Sequence, residues 1–408
     1  MSKEETTLKP QNQKSYRDIH FDLLTFIFTV YCAIMPFEEV LAGATGSFLK
    51  WVGIALMVFS VCYMRGICIT KEWLLLAVWL LYCLLSVLWA ESNYWWAYFV
   101  KMYISLFVFA FIVGQIPPEL IDLKQIKAGL VIGTLIAAGL LIFSPTASAY
   151  VEGRRTIILW DTHMDPNVLS TVFIMGFYAL LSLLLQSKRN YFLFKFICYL
   201  LLGVIAIGII YTGSRGALIS LVASLFVFMF FAQKEKGSLR RKGTVWLLAA
   251  AAAVVLFIFF FVPEDYLKSR FSFENILGLN EYRYGAHNRY TIWLRSWELF
   301  KRNPIIGYGC GNFFSAIATV YKQCAAHNIV VLSLIECGIL GSIPLFLFIF
   351  LTAKKLYRSG NMIIFSMLIS ILIMSLTLDS LPYKYFWTTI IISNLEAEKA
   401  LAERKDDT

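Results

Sequence analysis

The sequence contains a series of long apolar runs separated by short polar segments, and this pattern constrains the fold more than any other feature. Runs of the length that spans a bilayer, about 20 residues, begin near residues 21, 48, 73, 96, 128, 167, 191, 214, 245, 329 and 362, and a shorter twelfth run covers 385–395. Hydrophobic residues make up 59% of the chain and charged residues only 15%, a balance outside the range of soluble domains. The pattern predicts an all-α integral membrane protein with about twelve transmembrane helices.

The polar segments divide the chain into five predicted parts. They are a cytoplasmic N-terminal tail at 1–20, transmembrane helices 1–9 at 21–262, one long outer loop at 263–328, helices 10–12 at 329–395 and a cytoplasmic tail at 396–408. The polar stretch Met1–His20 precedes the first apolar run, so no cleavable signal peptide is expected. More than half of the 36 Lys and Arg residues fall on the side of the N-terminus. The positive-inside rule makes that side cytoplasmic.

The long outer loop carries basic residues on the side of the membrane where they are disfavoured. They are Lys268, Arg270, Arg283, Arg289, Arg295, Lys301, Arg302 and Lys322. Because topology does not account for this charge, we expect it to bind an anion outside the cytoplasm. A nucleic acid partner is not expected there.

Within the loop, apolar residues at helical spacing predict an amphipathic helix over 288–302, lying in the outer interface. Arg295 and Arg302, seven residues apart, share its other face. Asn303-Pro304 ends the helix, and the segment Gly307–Gly311 predicts a flexible turn. A nucleotide cradle at these glycines is disfavoured, because no strand precedes them.

The junction of the seventh and eighth runs is the first candidate site. Its sequence is Thr212-Gly213-Ser214-Arg215-Gly216, with Ser214 as a predicted N-cap and Arg215 opening the next span. Free backbone N–H groups, the helix dipole and a guanidinium would converge there on a phosphate oxygen. An arginine that reaches up to lipid headgroups is an equal alternative.

Two further candidates adjoin the tenth run. His327-Asn328 closes the long loop, where a histidine could accept a proton from a sugar hydroxyl or make one structural hydrogen bond. Glu336 lies inside the run and precedes Gly338 and Gly341. An acid in a span is a functional hypothesis by default, although it could equally be a structural partner for an arginine.

The segment before the sixth run offers His163 between Asp161 and Asp165. A metal site there would need further ligands, whereas Asp165-Pro166 also fits the start of a helix. Arg154 and Arg155 lie nearby and could serve the same anion as the outer loop. Cys310 and Cys324 are the cysteines of the outer loop, and whether they form a disulfide stays open.

Three short stretches, taken in order, resemble the O-antigen ligase and polymerase superfamily of bacterial membrane glycosyltransferases. They are Thr212-Gly213-Ser214-Arg215-Gly216; Arg289 with Trp293, Pro304, Gly307, Gly309 and Phe313; and His327-Asn328 followed by Glu336, Gly338 and Gly341. The resemblance covers the second half of the chain by motif and the first half by helix count. It implies an all-helical fold of the lipid-linked-sugar (GT-C type) glycosyltransferases and an undecaprenyl-diphosphate glycan as donor.

The resemblance also implies roles for individual residues. Arg215 and Arg289 would grip the diphosphate, and His327 would activate the acceptor hydroxyl. Weaker candidates for substrate binding are Ser214, Arg295, Arg154, Arg155, Asp165, Asn328 and Glu336. A diphosphate is a good leaving group, so arginines can stabilise its charge without a metal or cofactor, and direct attack would invert the anomeric centre.

We expect a polymerase that transfers a lipid-linked O-antigen, capsule or exopolysaccharide chain onto the next lipid-linked repeat. The segment Glu91–Tyr98 and the Arg154-Arg155 loop give a second outer surface for that second substrate. An O-antigen ligase, which attaches the glycan to lipid A core, shares every motif and stays open.

A flippase or transporter is the alternative from another class. It predicts charges near the bilayer midplane and inverted repeats, neither of which the sequence displays. The expected location is the bacterial inner membrane, multi-pass, with the site facing the periplasm or exterior. Membrane lipids and a chain-length regulator or flippase are the expected partners.

Overall fold

A computed structural model describes residues 12–45, 47–151, 153–187, 191–232 and 289–406, together with Asp265 and Lys268. Helices dominate the described residues. They are α1 (Asn12–Ile34), α2 (Glu38–Thr45), α3 (Phe48–Tyr63), α4 (Lys71–Leu85), α5 (Asn93–Val113), α6 (Leu123–Phe143), α7 (Pro166–Gln186), α8 (Phe192–Tyr211), α9 (Arg215–Ala232), α10 (Arg289–Arg302), α11 (Phe313–Ala318), α12 (Ile329–Ser359), α13 (Met362–Met374) and α14 (Lys384–Asp406).

Every predicted apolar run except the ninth coincides with a described helix. The ninth, near residue 245, lies outside the described residues, as does most of the outer loop before Arg289. Seven described helical segments are long and apolar enough to cross a membrane, and three more, including α3 and α9, are apolar but shorter. The protein is therefore a mostly helical membrane protein, and the count of twelve spans stays a prediction.

The all-α prediction needs one correction, because a small antiparallel sheet joins α6 to α7. Its strands are β1 (Ser148–Val151), β2 (Arg154–Leu159) and β3 (Thr162–His163), in the order β1-β2-β3. Trp160 and Asp161 both have positive φ between the paired residues Leu159 and Thr162. Positive φ at both central residues is typical of a tight type I′ hairpin.

The last helix, α14, lies in the centre of the bundle. Every residue from 385 to 397 is buried, and α12, α13 and α5 pack against the helix. The second buried helix is α7, and almost all of its side chains are inaccessible. The twelfth run, the shortest in the sequence, is thus central to the fold rather than peripheral.

Helix α12 is interrupted at Gly338, which has φ 58°. The break leaves backbone groups that the 304–309 segment satisfies: Ile339 N–H donates to the Pro304 carbonyl, and Tyr308 N–H donates to the Ile335 carbonyl, both at 2.9 Å. Unpaired backbone is costly at membrane depth. The segment therefore docks into the broken helix and completes its hydrogen bonding.

The predicted helix over 288–302 is confirmed as α10. Its buried residues Ile292 and Leu299 form a small core of their own with Phe313, Ile317 and Leu332. This core packs α10 and α11 onto the start of α12. We call the end of the bundle at which residues 289–328 lie the loop end.

Candidate functional site

His327 lies at the loop end, directly before α12, with a left-handed backbone (φ 50°) that is unusual for a residue other than glycine. The carboxylate of Asp379 accepts the backbone N–H of Asn328 at 2.9 Å and also interacts with the backbone of Ala326 and His327. Asp379 belongs to the connection between α13 and α14. A carboxylate 52 residues further along the chain therefore fixes the backbone that carries the imidazole.

Asn328 completes this attachment. Its side-chain oxygen caps α12 by accepting the N–H groups of Val330 and Val331, while its amide nitrogen donates to the Leu376 carbonyl at 3.1 Å. Its contacts are thus to the protein's own backbone, and they orient the residues around His327.

Arg289 begins α10 and is brought to His327 by the residue one turn later. The indole N–H of Trp293 donates to the carbonyl of Ala326 at 3.0 Å. Residues four apart lie on the same face of a helix, so this bond directs Arg289 toward the same point. Electrostatic interactions link Arg289 with Arg154, Asp165 and Asp379.

Arg154 and Asp165 approach the same place from the small sheet. An Arg154 Nη1–H donates to Asn167 Oδ1 at 3.3 Å, and Ser214 Oγ donates to the same oxygen at 3.0 Å. Asp165 caps α7 by accepting the N–H groups of Asn167 and Val168, as its sequence predicts. The Nε–H of Arg154 is buried and has no acceptor in the described part of the chain.

The segment Thr212–Gly216 lies beside these residues. Ser214 Oγ accepts the N–H of Ala217 at 3.4 Å, so the predicted N-cap is confirmed and Arg215 opens α9. Gly216 packs so tightly against Thr377 that an added Cβ would collide with the threonine hydroxyl. This contact brings the start of α9 against the connection that carries Asp379.

The cluster of Arg154, Asp165, Arg289, His327 and Asp379 has opposing electrostatic effects on the imidazole. Burial lowers the pKa of His327 below its ordinary value of 6.5, and Arg289 and Arg154 lower it further, while Asp379 and Asp165 raise it. Burial and the neighbouring Arg154 also lower the pKa of the Arg289 guanidinium. The balance favours a neutral imidazole next to two cations at neutral pH.

A cavity of about 830 Å³ reaches the cluster from one side, between α3 and α5. Asp379, Glu39, Tyr383 and Lys384 line it near the cluster. Glu39 Oε2 accepts the N–H of Asp165 at 2.5 Å, and Lys384 forms an ion pair with Glu38. The cavity and the cluster thus share one wall.

The other predicted site residues either lie away from His327 or make structural contacts. Arg295 is exposed and forms an ion pair with Glu298 at 2.9 Å. Arg155 bonds Ser148 and stacks over the Tyr211 ring. Glu336 is buried and accepts the N–H groups of Gly311 and Phe313, so it anchors the glycine-rich turn.

Two other predictions about ligands can be compared with the structure. Cys310 is buried, and both it and Cys324 are free thiols. Asp161 lies in the hairpin turn and His163 is exposed. Among the described residues, no three His, Cys, Asp or Glu side chains are grouped to hold a metal ion.

Comparison with known proteins agrees with the motifs. Residues 199–346 match the model of a family described as O-antigen ligase. This segment, roughly a third of the chain, is similar to that family. This confirms the predicted resemblance to the O-antigen ligase and polymerase superfamily and indicates a glycosyltransferase-like activity of the ligase or polymerase kind.

Comparisons over the whole chain identify no curated relative and no common fold. No curated protein matches the sequence. One chain of a solved structure titled "Structural coordination of polymerization and crosslinking by a peptidoglycan synthase complex" aligns with 82% of this chain and 96% of its own length. Its sequence identity is 12% and its TM-score 0.40, values that do not establish a common fold.

The O-antigen ligase segment contains Arg215, Arg289 and His327 but not every member of the cluster. Arg154 and Asp165 precede it, and Asp379 follows it. Asp379 and Glu39 were not identified from the sequence. Each is an acid next to an apolar run, where polar residues commonly flank a span. Only the folded chain brings Asp379 to His327 and Glu39 to Asp165.

Proposed function

We propose that the protein transfers a polyprenyl-diphosphate-linked glycan to an acceptor hydroxyl at the outer face of the bacterial inner membrane, as a polysaccharide polymerase. One observation carries the proposal: two arginines, Arg154 and Arg289, lie together beside His327. Burial and the repulsion between the two guanidinium groups lower the pKa of Arg289, and Asp165 and Asp379 oppose this effect. An anion bound beside the two arginines would relieve the repulsion further. A diphosphate supplies that anion.

The arginines would stabilise the leaving group. When the bond between the sugar C1 and the phosphate oxygen breaks, the electron pair leaves with the diphosphate, and its charge grows. Guanidinium groups bind phosphate oxygens through paired N–H donors. Arg289 and the buried Nε–H of Arg154 would take this role, with Arg215 at the start of α9, without need of a metal or cofactor.

His327 would act as the general base. The acceptor oxygen attacks C1 from the face opposite the diphosphate, which inverts the anomeric centre, and its proton passes to a ring nitrogen of His327. A base must be unprotonated to function. Burial and the two arginines lower the pKa of His327, which keeps the imidazole neutral at neutral pH.

The proposal is tested with purified protein in lipid nanodiscs and a lipid-diphosphate oligosaccharide repeat unit isolated from the source cells. Chain extension is followed by gel electrophoresis. We expect Arg289→Gln and Arg215→Gln to lower kcat/KM by about a hundredfold or more, because each removes charge-assisted bonds to the leaving group. We expect His327→Gln to lower kcat while donor binding is retained.

Arg295→Gln is the matched control, since Arg295 lies on the same helix as Arg289 but pairs with Glu298. It should keep nearly full activity. If Arg289→Gln and Arg295→Gln behave alike, the diphosphate role of Arg289 is wrong. A loss of activity in EDTA would contradict the metal-independent mechanism.

Polymerase and ligase activities differ only in the acceptor, so the same assay separates them. Lipid-linked repeat units alone should give a ladder of longer glycans from a polymerase. A ligase would give product only when lipid A core is added. The cavity of about 830 Å³ beside the cluster offers room for a second lipid-linked substrate.

A further inference from the structure

The cavity between α3 and α5 changes character along its length. Next to the cluster its lining is charged: Glu38, Glu39, Asp379 and Lys384. Further along the two helices it is apolar, with Ile54, Met57, Met102, Leu106 and Phe109. A ligand that fills the cavity must therefore have a polar end next to Asp379 and an apolar chain that runs along α3 and α5.

Two lysines line this cavity in addition to the ion-paired Lys384. Lys50 lies in the first turn of α3, and Lys101 lies in the third turn of α5, within a candidate membrane span. In the described part of the chain, neither forms an ion pair. Charged residues at membrane depth are costly, and they usually face a ligand or a water-filled cavity. The pair therefore indicates an anionic group on the ligand.

The size of the cavity limits the kind of lipid. Sites for single small molecules have volumes of about 300–1,000 Å³, and this cavity has about 830 Å³. It has room for a phosphate headgroup and the first part of one hydrocarbon chain.

Arg154 and Arg289 do not line the cavity, whereas Asp379 does. Asp379 is also the residue that binds the His327 backbone. The cavity thus extends to Asp379 beside His327, and the two arginines lie outside its lining. Two substrates of one transfer reaction require two such separate approaches to the site.

We propose that the cavity between α3 and α5 binds the acceptor, a second single-chain lipid phosphate or diphosphate whose sugar hydroxyl faces His327. This inference rests on the proposed function and deepens it. The arginines hold the diphosphate of the donor, and Lys50 and Lys101 hold the phosphate of the acceptor lipid. The acceptor hydroxyl gives its proton to His327 and its oxygen to the donor sugar.

Binding is tested separately from transfer, with a polyprenyl diphosphate that carries a photoreactive diazirine in its chain. The full-length protein is placed in nanodiscs of phosphatidylethanolamine and phosphatidylglycerol, irradiated and digested, and labelled peptides are identified by mass spectrometry. We expect labelling in residues 47–57 of α3 and 98–109 of α5. We expect Lys50→Gln/Lys101→Gln to reduce it by about tenfold, because each change removes a charge-assisted bond.

The matched control for charge is Lys301→Gln, an exposed lysine of α10 outside the cavity, which should leave the labelling unchanged. Arg289→Gln should also leave labelling in α3 and α5 unchanged, because it affects the donor. Labelling that disappears when phosphatidylglycerol is raised in excess would mean that an ordinary membrane lipid occupies the cavity, and the inference would be overturned.

Steric closure of the cavity gives a second test. Ser105 lines it, and its exposed neighbour Ile104 does not. Ser105→Trp should abolish labelling of α3 and α5 and lower glycan extension by at least about tenfold, while Ile104→Trp should resemble the wild type. If Ser105→Trp and Ile104→Trp show the same labelling and the same glycan extension, the acceptor site is wrong. The proposed function still stands in that case if the wild-type protein carries out transfer. Absence of wild-type transfer would instead refute the proposed function.

Discussion

Asp379 is the residue on which the geometry of His327 depends most directly. Its carboxylate accepts the N–H of Asn328, interacts with the backbone of Ala326 and His327, and raises the pKa of the imidazole against the lowering effect of burial. An amide at this position has only one acceptor oxygen and no charge. An amide would therefore hold His327 less firmly and would also lower the pKa of its imidazole. The pH dependence of the rate distinguishes these two effects.

We predict that Asp379→Asn lowers kcat by about tenfold or more, because it removes backbone hydrogen bonds to a charged acceptor. In the wild type, kcat/KM falls as pH drops through the pKa of His327, since the protonated imidazole is not a base. Without the carboxylate that pKa is lower, so the acid limb of the profile moves to lower pH. Rates measured between about pH 5 and 9 test this.

The control is Asp161→Asn, an exposed acid in the hairpin turn that has positive φ, a conformation that asparagine tolerates. It should keep the wild-type profile. An acid limb in Asp379→Asn that stays in place or moves to higher pH would contradict the electrostatic role.

Trp293 positions Ala326, and through it His327, by a single hydrogen bond. We predict that Trp293→Phe, which keeps an aromatic ring but loses the N–H, lowers kcat while KM for the donor stays near the wild-type value. The lost bond is worth about 1 kcal/mol. Trp297→Phe on the exposed side of the same helix should leave kcat unchanged. Equal effects from both substitutions would contradict a specific role of the Trp293 N–H.

At the scale of elements, the broken helix α12 joins the site to the bundle. Gly338 needs positive φ, and a Cβ there would overlap the Ile305 carbonyl. The same break supplies the carbonyls that bind Tyr308 and Gly309. The docking of the 304–309 segment therefore depends on glycine at position 338. The small core under α10 depends on that docking in turn.

We predict that Gly338→Ala abolishes glycan extension and lowers the free energy of unfolding by about 1–3 kcal/mol, because its backbone angles (φ 58°, ψ −167°) lie in a region that is almost restricted to glycine. Gly139→Ala is the control, because Gly139 lies in α6 with open space around its Cα. That substitution should be neutral or stabilising by about 0.5–1 kcal/mol. Thermal unfolding in detergent measures both, and a Gly338→Ala protein as stable as the wild type would contradict the prediction.

The sequence predicted the helices well because apolar periodicity and capping residues are local signals. Ser214, Asp165 and the face of α10 all follow from neighbours a few residues away. The break at Gly338 has no such signal, since a glycine in an apolar run equally indicates close helix packing. The small sheet of 148–163 has no clear sequence signal for a related reason: its strands are short, and β2 begins with the charged pair Arg154-Arg155 directly after the turn at Gly153.

In the candidate site too, some residues are predicted by local sequence signals and others are not. Arg215, Arg289 and His327 are predicted from short motifs, because each adjoins a recognisable turn or helix start. Asp379 acts on His327 from another connection, and Glu39 acts on Asp165 from α2. Contacts between segments so far apart in the chain depend on tertiary packing, which a single sequence does not display.

At the scale of the whole molecule, a buried ion pair joins the first half of the chain to its last helix. Lys127 Nζ of α6 lies 2.6 Å from a carboxylate oxygen of Glu396 in α14 and also donates to Ser182 and Gln186 of α7. Asn361 Nδ2 donates to the other carboxylate oxygen. Lys127 is buried and makes its contacts within the bundle, so its charge has a structural role.

Because α14 begins next to Asp379, the pair can be tested for its effect on both stability and the site. Removing one partner leaves an uncompensated buried charge, so we predict that Glu396→Gln and Lys127→Met each cost about 3–5 kcal/mol of stability. The double variant Lys127→Met/Glu396→Leu should recover most of this loss, since an apolar pair of similar volume is often tolerated. Unfolding midpoints and glycan extension should then recover together. Recovered stability without recovered transfer would mean that the charges themselves, and not only the packing of α14, set the position of Asp379.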